Sequence, residues 1–491
     1  MVRKDQGRTD EAVGLLREVV ALAPDLAAAR FALCMAHLPP LYADEAEIER
    51  RRSGYAEALD ALTDHADRVG AAALAPGVGA AQPFYLAYQG RNDVALQRRY
   101  GALVCRAMAG AFPAAPLAGR PAAGARIRVG VVSGHNRDHS VWRLPTRGWV
   151  EGLDRARFEV TGYHTSPRRD AETDRAAALF DRFVQGPLPV HVWRARIAAD
   201  QPHVLIYPEV GMDPMVAQLA AMRLAPVQYA SWGHPSTTGY PTLDYFLSSE
   251  AMEPRDGDSH YSERLVRLPG LSTPAALPSF AGAVPSRADL GLPPNATVYW
   301  CGQSLSKYLP RYDDVFAAIA AKAPDSRFVF IDFPDGPDLT ARFRQRLARA
   351  FSAQGLDAQT SCLWLPRMPP ELFLATMGCA DVVLDSIGWS GCNTLMDALA
   401  HRLPIVTLAG QTLRGRHGSG ILSLVGLEHL VCSSPDAYVD VAASLTAPEA
   451  RAAAKRTLDL NLHKLADASA VSTLERHITD SVFEVKEQIS G

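Results

Sequence analysis

The sequence has no long hydrophobic run and no strong net charge of either sign. It contains no stretch of roughly 18 or more uncharged apolar residues, the length that a membrane-spanning helix needs, and the start "MVRKDQGRTDEAVGLL" lacks the apolar core of a signal peptide. The formal net charge is −3, which indicates neither a nucleic-acid groove nor a patch for anionic membranes. We therefore expect a cytoplasmic protein with no nucleic-acid and no membrane partner.

Cysteine is scarce, and no two cysteines have the spacing of metal ligands. The seven are scattered along the 491 residues, odd in number, and never in a Cys-x-x-Cys pattern. This distribution favours neither a disulfide framework nor a zinc site. We predict free and mostly buried thiols at Cys34, Cys105, Cys301, Cys362, Cys379, Cys392 and Cys432.

Two familiar phosphate-binding loops are missing. No Gly-x-Gly-x-x-Gly follows the first predicted strand, and no Walker lysine loop occurs anywhere, which disfavours a dinucleotide oxidoreductase and a P-loop enzyme. An Asp-x-Asp at Asp256 and Asp258 is the kind of pattern that holds a metal-bound sugar diphosphate. It sits in a polar loop with no strand before it, so a solvated turn is the favoured interpretation and no metal is expected.

The first part of the chain reads as helical. Residues 9–36 carry apolar positions at helical spacing, interrupted at Pro24 and Asp25, and resemble the junction between two tetratricopeptide repeats. Helical patterns continue over 44–69 and 90–111. We predict an all-α region with a tetratricopeptide-repeat remnant over residues 1–111, followed by a Pro/Ala/Gly-rich linker over 112–125.

Beyond the linker, short β-branched or aromatic runs alternate with helical patterns. Parallel strands need such crossovers, so the alternation predicts an α/β protein with two doubly wound, Rossmann-like domains at 126–289 and 290–480. The predicted strands are 126–134, 158–166, 203–211, 227–233 and 245–250 in the first domain, and 298–304, 327–333, 362–366, 381–386, 404–410 and 429–434 in the second. Ligands of such sheets bind beyond the carboxyl ends of the strands, so the cleft between the two domains is the expected active site.

The stretch "DSIGWSGCNTLMDAL" in the second domain has a polar helix start directly after a buried strand. A helix beginning at 391–394 exposes unpaired N–H groups that favour an anion, and Asp397 lies on the same face as Thr394. The competing interpretation is that Asn393 only caps the helix. Lys307, after another strand of the same domain, is either a phosphate ligand or a surface lysine. Together these residues favour a nucleoside-diphosphate site.

Two loops of the first domain also follow strands and carry titratable or hydroxyl groups. The loop 133–144 contains His135, Asp138 and His139, and the loop 231–246 contains His234, Thr237 and Thr238. Loops at strand ends are where functional residues usually lie. A lone loop histidine is more often a surface residue, and from these residues alone both interpretations stay open.

Four motifs occur in an order that resembles the catalytic region of the family 41 glycosyltransferases. They are "RIRVGVVSGHNRDHSVWRLP", "RLAPVQYASWGHPSTTGYPTLDYFLSSE", "YWCGQSLSKYLP" and "ADVVLDSIGWSGCNTLMDALAHRLPIVTLAGQTLRGR". The resemblance covers about residues 125 to 480 and includes the eukaryotic O-linked N-acetylglucosamine transferases, their SPINDLY-like and bacterial relatives, and the bacterial N-glucosyltransferases. It implies a GT-B fold, a UDP-sugar donor, inversion at the anomeric carbon, a protein acceptor and no metal or other cofactor.

The resemblance also implies roles for individual residues. Lys307 matches the lysine that meets the donor diphosphate, and Asp397 matches a ribose-binding aspartate. His139 matches an active-site histidine, so His139 and Lys307 are the implied catalytic residues. The other implied binding residues are Gly391, Cys392, Asn393 and Thr394 at the helix start, and Gly233, His234, Pro235 and Thr237 in the loop that lines the sugar and acceptor.

The chain departs from the family pattern at several of these positions. Cys392 and Asn393 stand where the eukaryotic enzymes have His and Thr, and Ser304, next to Gln303, stands where they have a glutamine. Phe373 takes the place of the histidine that stacks on uracil. The loop "GHPSTTG" is closer to that of the N-glucosyltransferases. These departures leave open GlcNAc against glucose and Ser/Thr against Asn.

We predict a UDP-sugar-dependent protein glycosyltransferase. Two alternatives remain at this point. One is a GT-B enzyme that modifies a non-protein acceptor, and the other is a scaffold whose catalytic site has decayed.

Overall fold

The computed structural model describes residues 1–279, 282–333 and 336–484 as a helical region followed by two α/β domains. The pairs 280–281 and 334–335, which fall in the predicted first and second catalytic domains, lie outside the described residues. No helix in the described ranges combines the length and the apolar character that a bilayer crossing needs.

The helical region confirms the predicted break near Pro24. Two helices flank it and pack against each other, and a reciprocal cap starts the long helix that follows: the Asp44 carboxylate accepts from the Glu47 N–H at 2.7 Å, and the Glu47 carboxylate accepts from the Ala43 N–H at 2.8 Å. The helices are α1 (Val2–Asp5), α2 (Thr9–Leu22), α3 (Ala27–Ala36), α4 (Glu45–Val69) and α5 (Val94–Ala111), with 3-10 segments at Ala71–Gly77 and Phe84–Gln89.

The first α/β domain is built on a parallel sheet with the strand order β3-β2-β1-β4-β5-β6-β7. The strands are β1 (Ile127–Ser133), β2 (Phe158–His164), β3 (Arg182–Gln185), β4 (Val204–Tyr207), β5 (Val227–Ser231), β6 (Tyr245–Ser249) and β7 (Arg264–Leu268). The helices are α6 (Arg147–Gly152), α7 (Ala171–Leu179), α8 (Val190–Asp200) and α9 (Pro214–Ala220). The pattern missed β3 and β7, the two edge strands, because their sequences "RFVQ" and "RLVRL" are short and carry arginines.

The second α/β domain has a parallel sheet with the strand order β10-β9-β8-β11-β12-β13, and all six of these strands were predicted. The strands are β8 (Thr297–Cys301), β9 (Ser326–Ile331), β10 (Cys362–Leu365), β11 (Val382–Leu384), β12 (Ile405–Leu408) and β13 (Val431–Cys432). The helices are α10 (Asp314–Lys322), α11 (Pro337–Ala353), α12 (Ala358–Ser361), α13 (Pro370–Met377), α14 (Asn393–Ala400), α15 (His417–Leu424), α16 (Pro435–Ser444), α17 (Pro448–Asn461) and α18 (Ser469–Glu484).

The last helix, α18, packs on the sheet of the first domain. Helix α18 lies at the end of the range predicted as 290–480, yet its Leu474 and Ile478 belong to the buried core of the first sheet. The Tyr229 hydroxyl of β5 lies 2.9 Å from His477 Nδ1. The sequence of an amphipathic helix does not specify which sheet its apolar face will cover. Only the tertiary structure shows that the chain returns to the first domain at α18.

The helical region is fastened to both α/β domains. Asp93 at the start of α5 accepts from Arg414 of the second domain at 2.9 Å and from Arg52 of α4 at 2.8 Å, and the Arg414 and Asp93 side chains are both buried. Toward the first domain, Gly239 has a φ of +74°, and a Cβ built there would lie 1.9 Å from the Gln97 carbonyl oxygen of α5. Helix α5 therefore packs backbone to backbone against the loop that follows β5.

In each sheet there is a point where the chain changes the direction in which it adds strands, and this point lies at the cleft. In the first sheet the reversal lies between β1 and β4, and in the second it lies between β8 and β11. Loops that leave the carboxyl ends of strands on either side of a reversal diverge and open a crevice between them. The loop after β1 and the loop after β8 therefore both border the interdomain cleft.

Candidate active site

A cavity of about 260 Å³ lies in the cleft where the helical region and the two α/β domains meet. Each of the three parts supplies a section of its wall. The lining residues are Phe84 and Tyr88 from the helical region, Ser140, Val141, Leu144, Pro145, Met212, Trp232, Gly233, His234 and Pro235 from the first domain, and Lys307, Trp389, Ser390, Cys392, Asn393, Thr394 and His417 from the second.

Lys307 brings an ammonium group to this cavity. It ends the 3-10 turn Leu305–Lys307 after β8, and its Nζ donates to the Ser390 carbonyl at 3.2 Å. Nζ also lies 5.8 Å from the centre of the Trp389 ring. Burial lowers the pKa of Lys307 to about 8, and the nearby Asp385 carboxylate partly opposes this shift. The side chain retains donor capacity, because an ammonium has three N–H groups.

The loop from β11 to α14 is held by the buried Asp385. One carboxylate oxygen accepts from the Gly391 N–H at 2.7 Å, and the other accepts from the Ser390 hydroxyl at 2.5 Å and the Thr407 hydroxyl at 2.7 Å. Burial raises the pKa of Asp385 to about 6 although all these donors favour the ionised form. The carboxylate thereby fixes the loop that presents the Ser390 carbonyl to Lys307.

Helix α14 begins at Asn393, inside the predicted start at 391–394. Cys392 occupies the N-cap position, and no side-chain hydrogen bond caps the helix, so the interpretation of Asn393 as the cap is wrong. The hydroxyl of Thr394 is buried and has no hydrogen-bond partner among the described residues. Uncapped N–H groups next to an ammonium favour an anion.

Five predicted donor-site residues lie outside the cavity wall: Gly391, whose N–H is taken by Asp385, and Asp397, Gln303, Ser304 and Phe373. Asp397 is half-buried one turn into α14, and burial raises the pKa of its carboxyl to about 6 while Arg143 of the first domain acts in the opposite direction. Gln303 is buried and accepts from the Tyr308 hydroxyl at 2.9 Å. Ser304 is exposed. Phe373 on α13 packs edge-on against Trp300, with ring centres 5.3 Å apart.

The wall from the first domain centres on His234. Its ring is buried, stacks on Phe84 with ring centres 5.3 Å apart, and leaves Nδ1 without a hydrogen-bond partner among the described residues. Burial lowers the pKa of His234 to about 4, so the imidazole is neutral. The preceding Gly233 is required sterically, because a Cβ there would lie 2.5 Å from the Pro208 carbonyl oxygen. Pro235 completes this segment of the wall.

His139 lies beside the cavity rather than in its wall. Its ring stacks on His135 with centres 4.0 Å apart, and its Nδ1 accepts from the Val141 N–H at 3.2 Å. Burial and the neighbouring Arg137 lower the pKa of His139 to about 4. A neutral ring whose Nδ1 is an acceptor carries its proton on Nε2, so His139 presents an N–H donor rather than a free base.

Thr237 serves the fold of its loop. Its hydroxyl donates to the Glu263 carboxylate at 2.6 Å, and the neighbouring Thr238 N–H donates to the same carboxylate at 2.9 Å. Asp138 is exposed and pairs with Arg143. These groups are therefore engaged away from the cavity.

The Asp-x-Asp pattern is a surface turn in the structure. Asp258 is exposed and pairs with Arg267 at 2.5 Å, and the surrounding residues form a 3-10 turn, Gly257–His260. Across residues 1–279, 282–333 and 336–484, no group of three or more His, Cys, Asp or Glu side chains is arranged to hold a metal ion. The seven cysteines are free, and all but Cys392 are buried, as predicted.

Several wall residues were not predicted from the sequence. Tyr88 stacks face to face on Trp389 with ring centres 3.9 Å apart, and Phe84 covers His234. The aromatic run "FYLAYQ" in an otherwise helical region was the available signal for these two rings. His417 gave no signal in the sequence, since it lies just after the end of the fourth motif at Arg416.

Two facing α/β domains with parallel sheets, joined at a cleft that carries an ammonium and an uncapped helix start, define the GT-B type of glycosyltransferase. The family model described as glycosyl transferase family 41 matches residues 103–273 and 275–471. The match covers well over half of the chain, and the chain belongs to this family.

Relatives with assigned names match parts of the chain. The Arabidopsis thaliana protein named probable UDP-N-acetylglucosamine–peptide N-acetylglucosaminyltransferase SPINDLY is 32% identical over 46% of this chain and 24% of its own length. The UDP-glucose:protein N-beta-glucosyltransferase of Actinobacillus pleuropneumoniae serotype 7 (strain AP76) is 23% identical over 49% of this chain and 38% of its own length. The chain thus spans only a minor part of either relative.

A solved structure matches nearly the whole chain. A mutant form of the Thermobaculum terrenum O-GlcNAc transferase is 28% identical, superposes with a TM-score of 0.73, and is covered over 89% of its length by 97% of this chain. This similarity includes the helical region as well as the two α/β domains.

Proposed function

We propose that this protein transfers a sugar, GlcNAc or glucose, from a UDP-sugar to a protein side chain, with inversion and without a metal ion. The observation that carries the proposal is the Lys307 ammonium beside the uncapped start of α14, at the cleft of a family 41 fold. The names of the relatives support both sugars, since one contains UDP-N-acetylglucosamine and another UDP-glucose.

In this proposal the second domain stabilises the departing UDP. Negative charge grows on the diphosphate as the glycosidic bond breaks, and Lys307 together with the N–H groups at the start of α14 supplies fixed positive charge at that place. Such donors perform the task that a divalent cation performs in metal-dependent transferases. Asp397, one turn along the same helix, is the proposed ligand of the ribose hydroxyls.

The acceptor side chain approaches from the first domain, opposite the leaving group, as inversion requires. As its oxygen or nitrogen bonds to the anomeric carbon, the bond from that carbon to UDP breaks, and the acceptor proton leaves with the departing UDP. His234 borders this side of the cavity, and His139 directly precedes the lining residues Ser140 and Val141. We assign His139 the role of orienting an acceptor or sugar oxygen, because a neutral ring with its proton on Nε2 donates there.

The test is a panel of UDP-sugars incubated with the protein and with lysate proteins of its source, with mass shifts on intact proteins as the readout. We expect a hexose or N-acetylhexosamine shift that persists in excess EDTA and disappears in the Lys307→Ala variant. Donor hydrolysis stimulated by lipids or glycans but never by proteins would support a non-protein acceptor instead. Absence of UDP binding at millimolar concentration in calorimetry would indicate a decayed site.

A further inference from the structure

His417 is the one cavity-lining residue of the second domain with a titratable side chain besides Lys307 and Cys392, and no role above includes it. It is the first residue of α15, which follows β12, and it is only 3% exposed. Its ring lies between Trp232 of the first domain, at 5.9 Å between ring centres, and the Ser390 carbonyl. The side chain thus borders the same space as the Lys307 ammonium.

The backbone around His417 is fixed by the Asp385 network. The Gly418 N–H donates to the Ser390 hydroxyl at 2.7 Å, and that hydroxyl donates to Asp385 at 2.5 Å. A Cβ at Gly418 would lie 2.6 Å from an Asp385 carboxylate oxygen, so the chain passes here only because this residue is glycine. These contacts therefore fix the backbone that positions the imidazole at the cavity.

The hydrogen-bond partners of the ring define its tautomer. His417 Nδ1 lies 3.4 Å from the Ser390 carbonyl oxygen, which accepts from Lys307 Nζ as well. A nitrogen that faces a carbonyl oxygen must carry the proton, so in the neutral ring Nε2 is a bare acceptor. The pKa of His417 is lowered to about 3 by burial and by Lys307, so the ring stays neutral. Nε2 is buried and has no partner in the described part of the chain.

An acceptor in this position needs a ligand that donates. Ionised phosphate oxygens only accept hydrogen bonds, so the diphosphate suits Lys307 and the N–H groups of α14 but not His417 Nε2. The hydroxyl groups of a sugar donate, and in a UDP-sugar they lie directly beyond the diphosphate. A buried acceptor left unpaired is costly, so a site built this way discriminates against a ligand that lacks the donor.

We infer that His417 is a specificity-determining residue whose Nε2 accepts a hydrogen bond from one hydroxyl of the transferred sugar. The inference rests on the proposed UDP-sugar function and adds to it a requirement for a donor sugar with a free hydroxyl at that position. It also assigns the second domain both parts of donor recognition, the diphosphate through Lys307 and the sugar through His417.

The test compares the preferred UDP-sugar with its series of monodeoxy analogues. For the wild-type protein we expect one analogue to lose roughly 10-fold to 100-fold in kcat/KM. In His417→Leu the parent sugar should lose a similar factor, the same analogue should react as fast as the parent, and the affinity for UDP should not change. In His417→Gln, which keeps an acceptor near the Nε2 position, part of the discrimination should return.

His429→Leu is the matched control, since His429 is exposed just beyond α15 and should leave every rate unchanged. Equal use of all deoxy analogues by the wild-type protein would overturn the inference without any variant. A parallel loss of UDP affinity and turnover in His417→Leu would overturn it as well, because it would mean that the ring only supports Ser390. If the wild-type protein used no UDP-sugar at all, the proposed function would fail first, and the inference with it.

Discussion

The cavity walls that the two α/β domains supply differ in charge. The second-domain wall carries the Lys307 ammonium and the uncapped N–H groups of α14. The first-domain wall carries Gly233, His234 and Pro235, with the imidazole neutral and its pKa lowered by burial. Both walls are loops at the carboxyl ends of parallel strands, so the same architecture has produced one positively charged wall and one neutral wall.

This difference indicates a division of labour. In the proposed reaction, positive charge is useful where negative charge grows, at the leaving diphosphate, whereas elsewhere a buried charge costs free energy of desolvation. A neutral wall places no additional charge next to an approaching acceptor group. Each of four predictions concerns a change to one wall only, and the change with the largest expected effect comes first.

Removal of the ammonium from the second wall should have the largest effect. We expect Lys307→Ala to lower kcat roughly 100-fold to 1,000-fold, the usual effect of losing one donor that stabilises developing charge. Thermal denaturation should show that the fold is intact. Lys322→Ala is the control, since that lysine is exposed on α10 and pairs with Asp440. Wild-type turnover in Lys307→Ala would remove the basis for the comparison of the two walls.

The second wall should also lose its charge at alkaline pH. The pKa of Lys307 is lowered from 10.5 to about 8, and the cation is the active form in the proposed mechanism, so we expect activity to be present below that pH and lost as the pH rises through it. We expect kcat/KM, which reports the free enzyme, to fall about tenfold per pH unit above pH 8.

The pH profile of Lys307→Arg provides the check on this assignment. A guanidinium keeps its charge throughout the accessible range, so this variant should show no alkaline decline, whatever its absolute rate. The same decline in the arginine variant would assign the titration to another group.

An alteration of the first wall should affect turnover but not UDP binding. In His234→Phe the ring can still stack on Phe84, while the unpaired Nδ1 is lost. We expect kcat to fall about tenfold, the effect of one neutral hydrogen bond in the transition state, and the Kd for UDP from calorimetry to stay constant. A weakened UDP affinity would show that the two walls do not act separately.

The smallest effect is expected at the position that departs from the eukaryotic pattern. Cys392 is half-buried at the N-cap of α14, and burial raises the pKa of its thiol to about 12, so it is a neutral and weak donor. Cys392→His adds an N–H donor at the helix start and should tighten UDP binding about fivefold, in line with one additional hydrogen bond. Calorimetry with UDP measures this, and Cys379→Ser, away from the cavity, is the control.

The residues predicted for the second wall came from a local pattern. The sequence places a buried strand, a glycine-containing turn and a polar helix start next to one another. The turn before α14 could therefore be predicted from this local pattern alone. Lys307 is separated from it by more than 80 residues, yet β8 and β11 are neighbours in the sheet, and the alternation of strands and helices was enough to place both loops at one edge. The roles of these residues in binding or catalysis remain predictions.

The residues that were missed depend on long-range packing. Phe84 and Tyr88 reach the cavity because contacts at Asp93 and Gln97 hold the helical region against the two α/β domains. No local sequence pattern predicts these contacts. The role inferred for His417 depends on the Ser390 carbonyl, because this carbonyl determines the tautomer of the ring. The packing of α18 on the first sheet was not predicted for the same reason.

The sequence by itself determined the class of fold, because the periods of apolar residues select strands and helices, and their alternation requires parallel sheets. It also predicted a polar helix start directly after β11, because a polar stretch follows a buried apolar run. The tertiary structure alone decided which side chains share the cavity and which of their atoms stay unpaired. Burial, tautomers and shifted pKa values arise from neighbours that are distant in the chain, and packing brings those neighbours together.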